Sequence, residues 1–155
     1  MNQLVEWHCP SPESVQALGR ALGELRPSGV CIALLGDLGA GKTTFTQGIG
    51  SGLGIHEDIT SPTFALMVEY EADCPLQHVD AYRLSPGESE SIGLEESLET
   101  WTGLSVVEWA ALVPDALPAQ CLFVQLTIVP DGRRVQAWAS TSAMVALLNQ
   151  WRART

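Results

Sequence analysis

Apolar positions recur along this chain with two spacings, close to two residues in some stretches and close to three and a half in others, and the changes between them lay out the elements. Leu4-Val5-Glu6-Trp7-His8 reads as a first strand. Ser11 and Pro12 then make a cap and first-turn pair, and Val15, Leu18, Leu22 and Leu25 follow at helical spacing until Arg26-Pro27-Ser28-Gly29 breaks the helix. Val30 to Leu35 is an unbroken apolar run suited to a buried strand, and a helix is expected from about Gly41 to Leu53, ended by Gly54. The β-rich stretch Thr63 to Glu71 and the short strand Leu76 to Ala81 flank the turn Asp73-Cys74-Pro75, which predicts a hairpin. Ser85-Pro86-Gly87 is a turn, and Glu88 to Glu99 is acidic and partly helical in pattern. Ser105 to Trp109 reads as a buried strand with a polar carboxyl end. Cys121 to Val129 and Arg133 to Ala139 flank Pro130-Asp131-Gly132, a hairpin signal, and Met144, Leu147, Leu148 and Trp151 predict a closing helix. With no repeat, low-complexity tract or linker, residues 1–155 are expected to form one α/β domain, a mixed β-sheet flanked by helices.

Composition narrows this picture. At 155 residues and 46% hydrophobic content the chain can bury a single core. No apolar stretch approaches the roughly 20 residues of a membrane span, so no membrane association is expected. Met1 to Pro10 lacks a basic region followed by an apolar core. Cys9, Cys31, Cys74 and Cys121 are widely spaced with no C-x-x-C pair, and read as four reduced thiols, which fits a cytoplasmic location. Eighteen acidic residues oppose 8 basic ones, for a formal net charge of −10. Between Glu57 and Asp115 lie 13 acids and a single base, Arg83. Such a surface repels phosphate backbones, so little or no direct nucleic-acid binding is expected. The acidic stretch either steers a basic protein partner or is a solvated face that aids solubility.

One octapeptide carries specific chemistry. Gly36-Asp37-Leu38-Gly39-Ala40-Gly41-Lys42-Thr43 is a full match to the phosphate-binding loop G-x-x-x-x-G-K-[ST], and Lys42 is the only lysine in the chain. The glycines let backbone N–H groups close around phosphate oxygens, Lys42 supplies a mobile charge for the β- and γ-phosphates, and the Thr43 hydroxyl suits Mg²⁺. The match lies between a predicted strand and a predicted helix, as the mechanism requires. A nucleotide hydrolase also needs an acid at a strand end, and two qualify: Asp80 in Gln77-His78-Val79-Asp80, and Glu108 after Val106-Val107. Each could equally be a solvated strand end. Thr60-Ser61-Pro62-Thr63 is a candidate γ-phosphate sensor, although read alone it is an ordinary turn. Thr44 is a further candidate or a helix-facing threonine; His78 reads as a core or hydrogen-bonded histidine before a general base; and Trp109 either stacks on a base or fills the core.

Together these segments resemble the TsaE (YjeE) family, small P-loop ATPases of bacterial tRNA threonylcarbamoyladenosine biosynthesis. The resemblance rests on the phosphate loop continued through Thr44-Phe45, on Ser61-Pro62-Thr63-Phe64 followed by Glu69-Tyr70, on His78-Val79-Asp80-Ala81-Tyr82-Arg83-Leu84, on Gly93-Leu94-Glu95-Glu96 and on Glu108-Trp109. It implies a P-loop NTPase-like domain binding ATP and Mg²⁺, and a partner-stimulated ATPase working with the two other proteins of the threonylcarbamoyl-transfer complex, whose hydrolysis resets them between turnovers. It implies Lys42, Asp80 and Glu108 as catalytic residues, with Thr43, Asp80 and Glu108 at the metal site. Gly36 to Thr44, Ser61, Thr63 and Trp109 are the implied nucleotide contacts, with Ser11 and Arg133 as weaker candidates. The family usually has Phe before the aspartate and Leu after it; Val79 and Ala81 are smaller here, which leads us to expect looser packing behind Asp80.

Two other functions share the same loop. A small-molecule kinase needs cations over the transferred phosphate, and this chain has only seven arginines, with Arg83 alone in its middle. A nucleotide-dependent binding module would use the bound state without significant turnover. With Lys42 the sole lysine, an N-K-x-D guanine-reading motif is absent, so ATP is favoured over GTP.

Overall fold

The computed structural model describes residues 4–60, 67–82 and 93–155. Its strands are β1 (Leu4–Cys9), β2 (Val30–Leu35), β3 (Met67–Tyr70), β4 (Leu76–Asp80), β5 (Leu104–Glu108), β6 (Cys121–Val129) and β7 (Gly132–Ala139). The helices are α1 (Pro12–Glu24), α2 (Lys42–Gly52), α3 (Leu94–Thr100) and α4 (Ser142–Ala153). The strands form one mixed sheet in the order β1-β7-β6-β2-β5-β4-β3. β6, β2, β5 and β4 run parallel; at the edges β7 and β3 run against them, and β1, antiparallel to β7, again follows their direction. Both predicted hairpins form, β3 with β4 and β6 with β7, the second closing through Pro130-Asp131 with Val129 opposite Gly132. The first strand joins the sheet against β7, a pairing its own pattern could not announce.

A strand in the middle of a parallel sheet is covered on both faces, which explains the continuous apolar run of β2. On one face Ile32, Leu34, Val106, Leu122 and Val124 pack against α1, α2 and α4. Trp151 of α4 is fully buried there, 4.4 Å from the ring of Trp7 and 5.9 Å from that of Phe45, and its indole N–H donates to the Leu18 carbonyl at 3.0 Å. On the other face Cys31, Ala33, Val79, Ala81, Val107 and Cys121 meet Leu94 and Leu98 of α3 and the two short 3₁₀ turns that follow β5. Val79 and Ala81 are both completely buried, so the smaller side chains flanking Asp80 leave no opening to solvent. A buried polar pair on this side is satisfied internally: the Ser105 hydroxyl donates to Gln77 Oε1 at 3.0 Å, and Gln77 Nε2 donates to the Ser97 hydroxyl at 3.0 Å.

The placement of α2 depends on how closely α1 approaches it. Gly19 and Gly23 on α1 face Gly48 and Gly52 on α2, each pair one helical turn apart. A Cβ built on Gly19 would fall 2.3 Å from the Phe45 carbonyl oxygen, and one on Gly23 would fall 2.2 Å from that of Ile49. From the other side, a Cβ on Gly48 would meet the Gln16 oxygen at 2.1 Å, and one on Gly52 would meet the Arg20 oxygen at 2.3 Å. The helices therefore touch backbone to backbone, as they can only where side chains are missing. Glycine costs a helix about 1 kcal/mol per residue relative to alanine. An added methyl would regain that amount but impose an overpacking cost of about 2–3 kcal/mol, the upper part of the usual range, because the atoms it meets are backbone. Gly48→Ala is therefore expected to lower stability by about 1–2 kcal/mol net, read as a reduced urea midpoint; an unchanged or raised midpoint would refute the close contact.

Candidate functional site at the carboxyl edge of the sheet

β2 runs out at Leu35 and the chain turns through Gly36, Gly39 and Gly41, whose φ angles of 142°, 81° and 108° lie where residues with a Cβ are strained. Gly41, the last of them, is the N-cap of α2. Lys42 opens the helix and its side chain curls back into the loop. Nζ donates to the carbonyls of Gly36 at 2.7 Å and Asp37 at 2.9 Å, and sits 4.0 Å above the centre of the Trp109 ring. The residue is only 5% exposed. Burial pushes its ammonium below the usual lysine range, and the charges of Glu108, Asp37 and Asp80 act in the opposite direction.

The acids arrive from neighbouring strands. β4 and β5 are parallel and in register, so Asp80 lies opposite Glu108, and Glu108 in turn lies opposite Leu34 of β2. Glu108 is 3% exposed, and its two oxygens have different partners. Oε1 accepts from the Thr43 hydroxyl at 3.4 Å, and Oε2 lies 2.6 Å from His78 Nε2. Asp80 is half-buried and its Oδ1 accepts from the Tyr82 N–H at 3.0 Å. The Ala81 N–H donates to the Glu108 carbonyl at 3.0 Å, carrying the β4–β5 ladder past the two acids. Trp109 follows Glu108 directly and takes a left-handed backbone, φ 59°, which costs a non-glycine residue about 1 kcal/mol or more. That conformation lays the indole between the Lys42 ammonium and the Tyr82 ring, whose centroid is 4.8 Å away. Trp109 is thus half-buried beside the loop, packed against the margin of the core on that face of the sheet.

The fold brings the phosphate loop, Asp80, Glu108 and Trp109 to one edge. Asp37, Leu38 and Gly39 form its exposed tip, while Ala40 is buried beneath it. Ser11, Thr44 and Arg133 lie together elsewhere, around a cavity of about 150 Å³ beside the loop that Gly39 and Gly41 also line. Ser11 doubles as the N-cap of α1, its hydroxyl accepting from the Ser14 N–H at 3.2 Å. Arg133 reaches from β7 to the loop itself: Nε donates to the Ala40 carbonyl at 3.0 Å and Nη2 to that of Gly39 at 3.2 Å. Ser61 and Thr63 fall outside the described residues. His78, which the sequence reads as a core or hydrogen-bonded histidine, is both, buried in β4 and paired with Glu108. The available signal was its spacing of two from Asp80, which puts both on the same face of β4. Nothing local in the sequence marks the exposed Tyr82 as the neighbour of a tryptophan 27 positions on in the chain.

The donor set suits a hard cation. Thr43 and Glu108 offer a hydroxyl and a carboxylate, Asp80 offers a second carboxylate from the next strand, and no thiolate is near. Among the described residues no group of three or more histidines, cysteines or acids is gathered as a self-sufficient cage.

Arg133 holds two loop carbonyls from outside, so Arg133→Ala is expected to leave the sheet intact and loosen the loop. Amide hydrogen exchange of residues 36–41 should accelerate by about tenfold, the equivalent of losing about 1–1.5 kcal/mol of hydrogen bonding. Exchange as slow as in the parent would mean that the arginine does not support the loop.

The family model "Threonylcarbamoyl adenosine biosynthesis protein TsaE" matches residues 9–135. The chain is 44% identical over 138 residues to the tRNA threonylcarbamoyladenosine biosynthesis protein TsaE of a Nostoc species, covering 86% of this chain and 85% of that protein. It is 40% identical over 135 residues to the protein of the same name from Bacillus subtilis, covering 86% and 84%. Among solved structures, the crystal structure of Bacillus subtilis YdiB superposes with a TM-score of 0.83 at 29% identity, over 99% of this chain and 97% of that one. The loop, the strand-end acids and the mixed sheet thus occur together in a chain that belongs to the TsaE family.

Proposed function

We propose that this protein binds ATP with Mg²⁺ and hydrolyses it as a component of tRNA threonylcarbamoyladenosine biosynthesis, under the control of two partner proteins that carry out the threonylcarbamoyl transfer. The observation that carries this reading is the convergence of Lys42, Thr43 and Glu108 at one strand edge, with both charged residues nearly sealed from water. The pathway comes from the relatives, which are named for it.

In this reading the loop N–H groups hold the phosphates, and Lys42 exchanges the carbonyls of Gly36 and Asp37 for phosphate oxygens. Thr43 and Glu108 hold the cation, since the hydroxyl and Oε1 already face each other. Bound Mg²⁺ would offset the negative charge that develops on the phosphoryl oxygens. Asp80, level with Glu108 and more accessible, orients the attacking water. The cavity lined by Ser11, Thr44 and Arg133 adjoins the loop and takes the nucleoside end. The acidic middle of the sequence suits contact with proteins and not with the tRNA backbone.

Lys42→Ala is expected to reduce nucleotide affinity by at least about a hundredfold, and Glu108→Ala to lower turnover by a similar factor while the fold persists. ATP hydrolysis measured with the chain alone and with both partner proteins checks this. Low activity alone that rises sharply with partners supports the assignment. Phosphate transfer to a small molecule without hydrolysis would favour the kinase, and nucleotide binding without turnover under any condition would favour the binding module.

A further inference from the structure

His78 is wholly buried in β4, and the reaction just described gives it no work. Its Nε2 lies 2.6 Å from Glu108 Oε2, and its Nδ1 is buried with no hydrogen-bond partner. An ionised carboxylate can only accept, so Nε2 carries the proton and Nδ1 is left with a bare lone pair in an apolar setting. A residue present only to fill space would be aliphatic, as Leu76 and Val106 on the same face are, and would strand no polar atom. The histidine's single satisfied bond is to Glu108. Register explains the reach. His78 is opposite Val106, one step short of the Asp80–Glu108 pair, so the imidazole extends along its own face toward the carboxyl edge.

We infer that His78 is a positioning residue: its Nε2–H pins one oxygen of Glu108 so that the other is presented to the Thr43 hydroxyl. Of the two contacts to the carboxylate, the one from His78 is short and fully buried, whereas the one from Thr43 is long at 3.4 Å. The histidine therefore sets the rotation of the carboxyl group before nucleotide or cation arrives. The inference rests on reading Thr43 and Glu108 as the Mg²⁺ site.

The test compares the parent chain with His78→Leu and His78→Gln. For each, affinity for a fluorescent ADP analogue is measured with excess Mg²⁺ and with chelator, and the thermal midpoint is recorded. The glutamine amide can donate from nearly the same place as Nε2; leucine can only fill the volume. The expected result is equal affinity for all three in chelator. His78→Leu should lose about tenfold of the Mg²⁺-dependent gain, the scale on which removing a partner of a metal ligand acts. His78→Gln should recover most of it, and the leucine variant's thermal midpoint should not fall. A leucine variant that keeps the full Mg²⁺ gain overturns the inference, as does a glutamine variant that falls as far as leucine. A parent that binds the nucleotide with no Mg²⁺ gain would sink the metal reading itself. The contact is also read without metal: ¹⁵N-histidine spectra of the parent should show a strongly downfield Nε2–H proton that moves upfield in Glu108→Ala. Its absence overturns the inference whatever the binding data show.

Discussion

Two opposite charges, Lys42 and Glu108, are held almost out of water at the end of a parallel sheet, and the local architecture is arranged to make that tolerable. Burying either alone would cost several kcal/mol. The lysine is met by two loop carbonyls and the face of Trp109, and the glutamate by a histidine and a threonine. The two carbonyls are local to the loop, whereas Trp109, His78 and Thr43 reach their charges from distant parts of the chain. They meet because β2, β5 and β4 are parallel and in register, which brings Leu34, Glu108 and Asp80 level at the edge where the loop departs. A shift of one residue in the β4–β5 pairing would turn His78 and Asp80 to the opposite face and leave Glu108 buried without its imidazole.

The loop is held from both sides. Beneath it, α2 is fixed by backbone contact with α1 through four glycines, so the first turn, which carries Lys42 and Thr43, has little freedom to shift. Beside it, Arg133 holds the carbonyls of Gly39 and Ala40 from the β6–β7 hairpin. The N-terminal strand contributes indirectly by pairing with β7, with Cys9 opposite Arg133, which also brings Ser11 to the cavity beside the loop. Residues from both ends of the chain thus support a site whose chemistry is concentrated between Gly36 and Glu108.

Strain and unsatisfied polarity gather at the same edge. Trp109 adopts a left-handed backbone, His78 keeps an orphaned nitrogen, and Lys42 is nearly sealed from water, which lowers the pKa of its ammonium. A chain selected only to be stable would shed all three. The opposite face of the sheet shows the contrast. There the buried polar groups of Gln77 and Ser105 satisfy each other and Ser97, and no buried side-chain nitrogen or oxygen among the described residues on that face lacks a partner.

What the sequence determined by itself was whatever depends on local chemistry. The loop was legible because glycine, lysine and threonine at fixed spacing leave few other uses, and the central strands because a run such as Val30 to Leu35 must be covered on both sides. The two hairpins and the closing helix followed from turn residues and apolar spacing. Asp80 and Glu108 could be nominated as strand-end acids but not ranked, since a solvated acid and a buried one are spelled alike. The tertiary structure decided the rest. It placed Glu108 out of water between His78 and Thr43, turned Trp109 onto Lys42, tied Arg133 to the carbonyls of the loop, and brought α1 against α2 through glycines whose meaning appears only when a second helix faces them. Each of these depends on a partner from a distant part of the chain, and which distant segments meet is set by the order and register of the strands, which no local pattern encodes.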